Sequence, residues 1–201
     1  MGKLFCLMGK SSTGKDTIFK YLKEDRELDL RAVTPYTTRP KRENEVDGVE
    51  YYFIDENKLE EFKDKNKVIE LRCYETVMGK WYYGTIDDGQ VNLKKNNYIV
   101  IVTLEAYNNL KKYFGEKNVV PLYIAVDDGV RLERALNRER QQLKPNYNEM
   151  CRRFLADDND FSIDKLKSSN IEKIYSNDSL KICVTSIKKD ISQILTKDNK
   201  Y

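Results

Sequence analysis

The chain contains no histidine. That excludes imidazole general bases, Ser-His triads and histidine metal ligands together. Cysteine is sparse: Cys6, Cys73, Cys151 and Cys183 stand far apart without metal-site spacing. They read as reduced thiols of a cytoplasmic protein, not as a disulfide or zinc framework. Cys6, inside an apolar run, reads as an ordinary buried thiol. Long apolar runs are also missing. Stretches such as 4–8 and 98–102 fall far short of the ~20 residues of a membrane span. Met1-Gly2-Lys3 leads directly into a strand-like segment, which leaves no room for a signal peptide. Neither sign of charge is in large excess: 36 basic against 33 acidic residues give +3, too little to imply nucleic-acid binding. What remains is 201 residues with a charged share of 34%. That length suffices for one filled core carrying inserted segments that move over it.

Strand-like and helix-like patterns alternate along the chain. Residues 3–8 read as a buried strand, 9–14 as a loop and 15–22 as a helix, with a second strand at 30–34 stopping before Pro35. The polar stretch 36–50, broken by Pro40 and Gly48, reads as loop. A short strand at 51–54 and an amphipathic helix at 56–66 come next. Residues 68–74 and 81–85 pair as a hairpin across Met78-Gly79. Helices are then expected at 87–95, 105–114, 130–138, 149–157 and 186–195, and strands at 98–104, 119–126 and near 173–175. Hairpin character is concentrated between about 35 and 86. The pattern predicts an α/β protein, a parallel-sheet core bearing a small mixed-sheet insertion.

Gly9-Lys10-Ser11-Ser12-Thr13-Gly14-Lys15 fits G-x-x-x-x-G-K between a predicted strand and a predicted helix, the context that makes such a loop a phosphate cradle. Its glycines permit a tight turn whose backbone N–H groups converge on phosphate oxygens. The helix that begins near Lys15 adds the positive end of its dipole. Lys15 would reach the β- and γ-phosphates of a donor nucleotide. Where a Ser or Thr usually meets Mg²⁺, this chain has Asp16, followed by Thr17. A carboxylate is the stronger ligand for that hard cation, so Asp16 is the candidate metal residue; capping of the helix dipole is its other reading.

The segment from Thr37-Thr38-Arg39-Pro40-Lys41-Arg42 to Gly48-Val49-Glu50-Tyr51 is dense with groups that suit a phosphate: two arginines three apart and a tyrosine. Taken alone it is equally a solvated charged loop. It closely resembles the guanylate kinase signature T-T-R-x-x-R-x-x-E-x-x-G-x-x-Y. The resemblance continues through Glu70, through Tyr82-Tyr83-Gly84-Thr85 and on to the arginines near 131–153, covering most of the chain. It implies a P-loop three-layer core at 1–34, 87–136 and 154–201, an acceptor-binding insertion at 35–86 and a helical lid at 137–153. By that resemblance Arg39, Arg42, Tyr51 and Tyr83 grip the acceptor phosphate. Glu70 accepts hydrogen bonds from guanine, whose N1–H and amino group are adjacent donors, and Thr85 lies near that base. Arg138 and Arg153 are the expected transition-state arginines with Arg134 bracing the phosphates, since phosphoryl transfer asks chiefly for cations around spreading charge. Arg131, Arg140 and Arg152 read instead as a solvated basic face paired with Glu133, Glu139 and Glu149. Asn177 corresponds to the adenine side of the donor.

Three departures from the signature stand out. Pro35 replaces a serine that helps read the guanine, and Ile101-Val102-Thr103 replaces an Asp-x-Asp. The stretch between Glu70 and Tyr82, containing Arg72, Glu75 and Met78, is longer than typical. Removing one buried base-reading hydrogen bond costs about 1–3 kcal/mol, so two such losses weaken a preference for guanine. The leading expectation is ATP- and Mg²⁺-dependent phosphorylation of GMP to GDP by a cytoplasmic monomer or homodimer without nucleic-acid or membrane partners. The alternatives are a divergent kinase of another nucleoside monophosphate or phosphorylated sugar, and a non-catalytic binding domain of the same family. Such binding domains lose the loop lysine, whereas Lys15 is present here.

Overall fold

The computed structural model describes residues 1–43, 45–76 and 79–198. Every residue of the first strand, β1 (Leu4–Met8), is buried, and its position explains why. It is flanked in parallel by β7 (Asn97–Ile101) and β8 (Val119–Ala125), with β2 (Leu30–Ala32) and β9 (Ile174–Ser176) at the edges, giving the order β2-β7-β1-β8-β9. A parallel strand covered on both faces is apolar at successive positions instead of alternating. Leu4, Cys6 and Met8 join a core with Val100, Tyr107 and Leu110; Phe5 and Leu7 join another with Ile18, Leu22 and Ile187. The first face is thus covered by α3 (Leu104–Phe114), the second by α1 (Lys15–Lys23) and α7 (Leu180–Asp198). Burial raises the thiol pKa of Cys6. All four cysteines are free.

A second sheet has the order β4-β3-β6-β5. It is made of β3 (Tyr36–Thr37), β4 (Tyr52–Phe53), β5 (Val68–Thr76) and β6 (Gly79–Ile86). Between β4 and β5 runs α2 (Glu56–Asp64), started by the carboxylate of Asp55 accepting the Lys58 N–H at 2.7 Å. The long antiparallel pair β5–β6 matches the expected hairpin; Met78, expected at its turn, lies outside the described residues. After β8 come α4 (Asp128–Arg140), α5 (Tyr147–Asp160) and the short α6 (Ile163–Ser168). Among the described residues no helix is long and apolar enough to cross a membrane.

Several expectations need correction. No helix forms at 87–95. Gly89 sits at φ 89°, the Asp88 side chain accepts the Gln90 N–H, and the Gln90 amide bridges both backbone groups of Thr34. Local turn chemistry outweighs the weak apolar spacing there. Residues 36–37, expected as loop, pair with β4 and β6. The strand expected to reach 104 ends at Ile101, because Thr103 caps α3 by accepting the Ala106 N–H. Finally α5 and α7 start earlier than expected, and α6 had no periodic signal.

Candidate active site

The loop 9–15 leaves the C-terminal end of β1, with β7 and β2 on one side and β8 and β9 on the other. Ligands of open parallel sheets bind where strand order turns back in this way. At Gly9 a Cβ would come within 2.6 Å of the Ile124 carbonyl oxygen. Gly14 holds φ 82°, the left-handed region glycine favours. Ser12 also adopts positive φ, 64°, at a cost of roughly 1–2 kcal/mol for a residue with a Cβ. Asn177, expected beside the donor base, is buried beneath the loop and its amide donates to the Thr13 carbonyl at 2.8 Å. The Thr13 hydroxyl donates to the Lys10 carbonyl at 2.9 Å. Among the described residues, two buried side-chain polar atoms lack a hydrogen-bond partner, Ser12 Oγ and Asn177 Oδ1. Folded proteins leave few such atoms, and both belong to this loop and its support. That is the chemistry of an anion seat: converging N–H groups, a helix N-terminus, a hydroxyl with spare capacity and Lys15.

Burial pushes the Lys15 ammonium below the ordinary lysine pKa. Asp16 and Asp157 oppose that shift, whereas Arg153 and Arg138 add to it. The arginines expected from the lid are therefore within electrostatic reach of the loop lysine. Arg138 and Arg153 line one cleft with Ser11 and Ser12. Both are exposed, as is Arg134, which does not border that cleft.

Arg131 corrects an expectation outright. Read as part of a solvated face, it is wholly buried. Its Nε donates to the Ser11 carbonyl at 3.0 Å, Nη2 donates to Asp157 at 3.2 Å, and Nη1 pairs with Asp128. The guanidinium lies 4.6 Å from the Phe154 ring centroid. The same Asp157 oxygen accepts the Ser11 N–H at 2.6 Å, and Lys10 pairs with Asp158 at 2.5 Å. One cation thus fastens α4 and α5 to the phosphate loop. The pair Asp157-Asp158, next to an aromatic on α5, was the available sequence signal. Arg152, by contrast, pairs with Glu149 at 2.7 Å as a surface arginine should.

Residues two apart on a strand share a face. Glu70 and Arg72 of β5 therefore look the same way as their cross-strand partners Thr85 and Tyr83 of β6. Register shifts between Val68 and Glu70, a bulge of the kind that re-aims a side chain. A Cβ on Gly84 would lie 2.6 Å from the Glu70 carbonyl oxygen, so β6 accepts no side chain there. The Glu70 side chain is 0% exposed. Its Oε1 accepts from the Thr85 hydroxyl at 2.9 Å and its Oε2 from Arg72 Nε at 3.0 Å, while Arg72 Nη1 donates to the Thr103 hydroxyl at 3.1 Å.

Beside them Arg39 is buried and grips Glu45 through two bonds of 2.8 and 2.7 Å. It also faces Tyr51, whose ring packs edgewise on Tyr83 at 5.6 Å. Burial raises the Tyr51 pKa; Tyr83 and Asp16 add to the rise, and Arg72 and Arg39 oppose it. The start of α1 and the small sheet therefore share one electrostatic field. Arg42 is exposed, with its backbone N–H donating to Glu45 at 2.8 Å. The expected acceptor residues thus form two adjoining groups, Arg39–Tyr51–Tyr83 and Glu70–Thr85, with Arg42 at the solvent edge. Arg72 and Glu45, both inside these groups, had no assigned role.

Asp16 is exposed in the first turn of α1, followed by the exposed Thr17. Among the described residues no three His, Cys, Asp or Glu side chains cluster as metal ligands. A divalent cation here would draw one carboxylate from the chain and fill its shell with phosphate oxygens and water, which suits Mg²⁺.

A family model described as guanylate kinase matches residues 1–193. A guanylate kinase of Porphyromonas gingivalis is 29% identical over 199 residues, covering 98% of this chain and all of that protein (100%). One from Mesomycoplasma hyopneumoniae is 27% identical over 201 residues, covering 98% of both. Among solved structures, a guanylate kinase from Anaplasma phagocytophilum shares the fold. Its TM-score is 0.64 at 17% identity, over 96% of this chain and 85% of that one.

Proposed function

The chain belongs to the guanylate kinase family, a family of phosphotransferases, and we propose that it transfers the γ-phosphoryl group of ATP to GMP, giving GDP and ADP. The observation that carries this reading is that Arg138 and Arg153 line one cleft with Ser11 and Ser12 of the loop that ends in Lys15. A metaphosphate-like transition state spreads negative charge over the transferred group, and fixed cations stabilise it more than the ground state. In this reading the loop N–H groups and Ser12 seat the donor phosphates, and Lys15 neutralises their outer oxygens. Arg138 and Arg153 meet the charge in transit, and Arg134 braces from the helix surface. Gly9, Ser11, Thr13 and Gly14 shape the seat, and Asn177 holds it from below. Asp16 would hold magnesium, with Thr17 beside it among the donor-binding residues, and the ion would supply neutralisation of phosphate charge.

On the acceptor side, Arg39, Arg42, Tyr51 and Tyr83 bind the monophosphate, and Glu70 with Thr85 borders the base. We assign 35–86 as the acceptor-binding part, 137–153 as the lid and the remainder as the core. Closure of the mobile parts would exclude water and suppress ATP hydrolysis. The four free cysteines suit work in the reducing cytoplasm.

The test is ADP formation from ATP and Mg²⁺ with GMP, dGMP, AMP, UMP, CMP and ribose phosphates, each alone. GMP-dependent turnover supports the reading. Turnover with ribose phosphates or AMP alone replaces it with that of a divergent kinase, and ATP binding without turnover on any acceptor overturns it.

A further inference from the structure

Two strands of the small sheet bring an arginine to Glu70 for which the proposed reaction has no use. Arg72 stands two residues from Glu70 on the same face of β5 and opposite Tyr83 of β6. Three contacts hold it: Nε to Glu70 Oε2 at 3.0 Å, Nη2 to Glu70 Oε1 at 3.5 Å, and Nη1 to Thr103 at 3.1 Å. Thr103 is itself fixed as the cap of α3. The side chains are 11% and 0% exposed for Arg72 and Glu70. From these observations we propose that Arg72 sets the acceptor specificity of this enzyme. It occupies the carboxylate that would otherwise read paired N–H donors, and it offers N–H donors in their place. The pocket then selects a 6-oxopurine by its carbonyl oxygen and scarcely senses a 2-amino group, so that IMP is an acceptor nearly as good as GMP. This inference rests on the reading of the Glu70 pocket as the acceptor-base site.

Three physical points support it. A carboxylate has about four acceptor positions on its two oxygens; Thr85 takes one and Arg72 leans on two more. Little capacity remains for both N1–H and an amino group. Second, separating a buried ion pair leaves an uncompensated charge behind, and the neutral edge of a base replaces an ammonium or guanidinium poorly. Third, a guanidinium carries five donors in a rigid fork. Those not turned to Glu70 and Thr103 are within electrostatic reach of Tyr74 and Tyr51, whose ionisation Arg72 favours. A carbonyl oxygen satisfies such donors. The exocyclic amino group of adenine sets donor against donor, so AMP is rejected.

The experiment measures kcat/KM for GMP and IMP, and their binding by calorimetry without ATP, in the wild-type chain, Arg72→Met and Glu70→Gln. The wild-type chain should treat GMP and IMP alike within about threefold, and Arg72→Met should raise the preference for GMP at least about tenfold, the scale of one hydrogen bond to a freed carboxylate. Glu70→Gln, measured in case Arg72→Met fails to fold, should weaken both nucleotides alike. The proposal is overturned by a wild-type preference for GMP over IMP above tenfold, by an unchanged ratio in Arg72→Met, or by a GMP-selective loss in Glu70→Gln. If neither nucleotide binds or reacts in the wild-type chain, the kinase reading itself fails, which is a different result from any of these.

Discussion

The phosphate loop and the small sheet treat their polar groups in opposite ways. At the loop, Ser12 Oγ and Asn177 Oδ1 are buried without partners, and Lys15 bears a cost of burial that Asp16 and Asp157 only partly offset. On the small sheet, Arg39 is spent on Glu45, and Arg72 and Thr85 on Glu70. One region keeps its interactions for a ligand; the other satisfies them internally. A group held unsatisfied in the free protein interacts with incoming charge at no cost of prior exchange, which is electrostatic preorganisation. A group already paired contributes only the difference between two partners. In the proposed reading the donor side is therefore built for strength, and the acceptor side for selection.

The strongest way to break this comparison is at Lys15. Lys15→Met should lower turnover by roughly 10³-fold, on the scale of removing a preorganised charge contact. It should also leave the melting temperature unchanged or higher, by roughly 1 kcal/mol of stability. The sign follows from the depressed pKa of Lys15. The folded state penalises the ammonium, fully so below its folded pKa, and the penalty is relieved as pH rises towards the ordinary lysine value. Methionine removes it at neutral pH. A large loss of stability in Lys15→Met would show the lysine to be a structural member of the loop. Next in size, Arg138→Ala and Arg153→Ala should each cost roughly 10²–10³-fold in kcat with little change in melting temperature, since both side chains are exposed. Equal losses in KM and none in kcat would place them in ground-state binding instead.

Sequence reasoning reached the two regions unequally, for physical reasons. The loop was legible because its chemistry is local: glycines, lysine, strand and helix all fall within about twenty residues. The parallel core was legible from fully apolar runs such as Leu4–Met8. Arg131 was not, because an arginine on a polar helix looks solvated until a carboxylate 26 positions away is brought to it. Arg72 lay in plain view two residues from Glu70. Strand period puts both on one face, yet the stretch read only as an over-long insert. The helix expected at 87–95 failed because apolar spacing there was weak and Gly89 at positive φ favoured a turn.

Arg131 offers the next test, on stability instead of rate. Arg131→Met leaves Asp157 beside the loop without its cation, and should destabilise the chain by about 3 kcal/mol, the penalty for one stranded partner of a buried pair. The double variant with Asp157→Ala should recover part of that loss, because the remaining carboxylate is the expensive element. Denaturant titration of the four chains gives the coupling. If the two losses simply add, the Arg131–Asp157 contact is incidental.

The smallest effect is expected on the acceptor side, at the pair Arg39–Glu45. Arg39, through paired hydrogen bonds, holds the Glu45 carboxyl below its ordinary pKa. A carboxyl depressed in the folded state stabilises it above the ordinary glutamate range, and that contribution is lost as pH falls through the folded value. Glu45→Gln should therefore be less stable than wild type at pH 7 by no more than about 1 kcal/mol, and the two should converge in acid once the Glu45 carboxyl is protonated in the folded chain. Activity should move the other way. With Arg39 freed for the phosphate, the KM for the acceptor should fall about twofold, since an arginine–phosphate fork replaces an arginine–carboxylate one of similar strength. A rise in KM instead would mean that Glu45 orients Arg39 for the acceptor, and the pairing on this sheet would then be preparation for binding instead of competition with it.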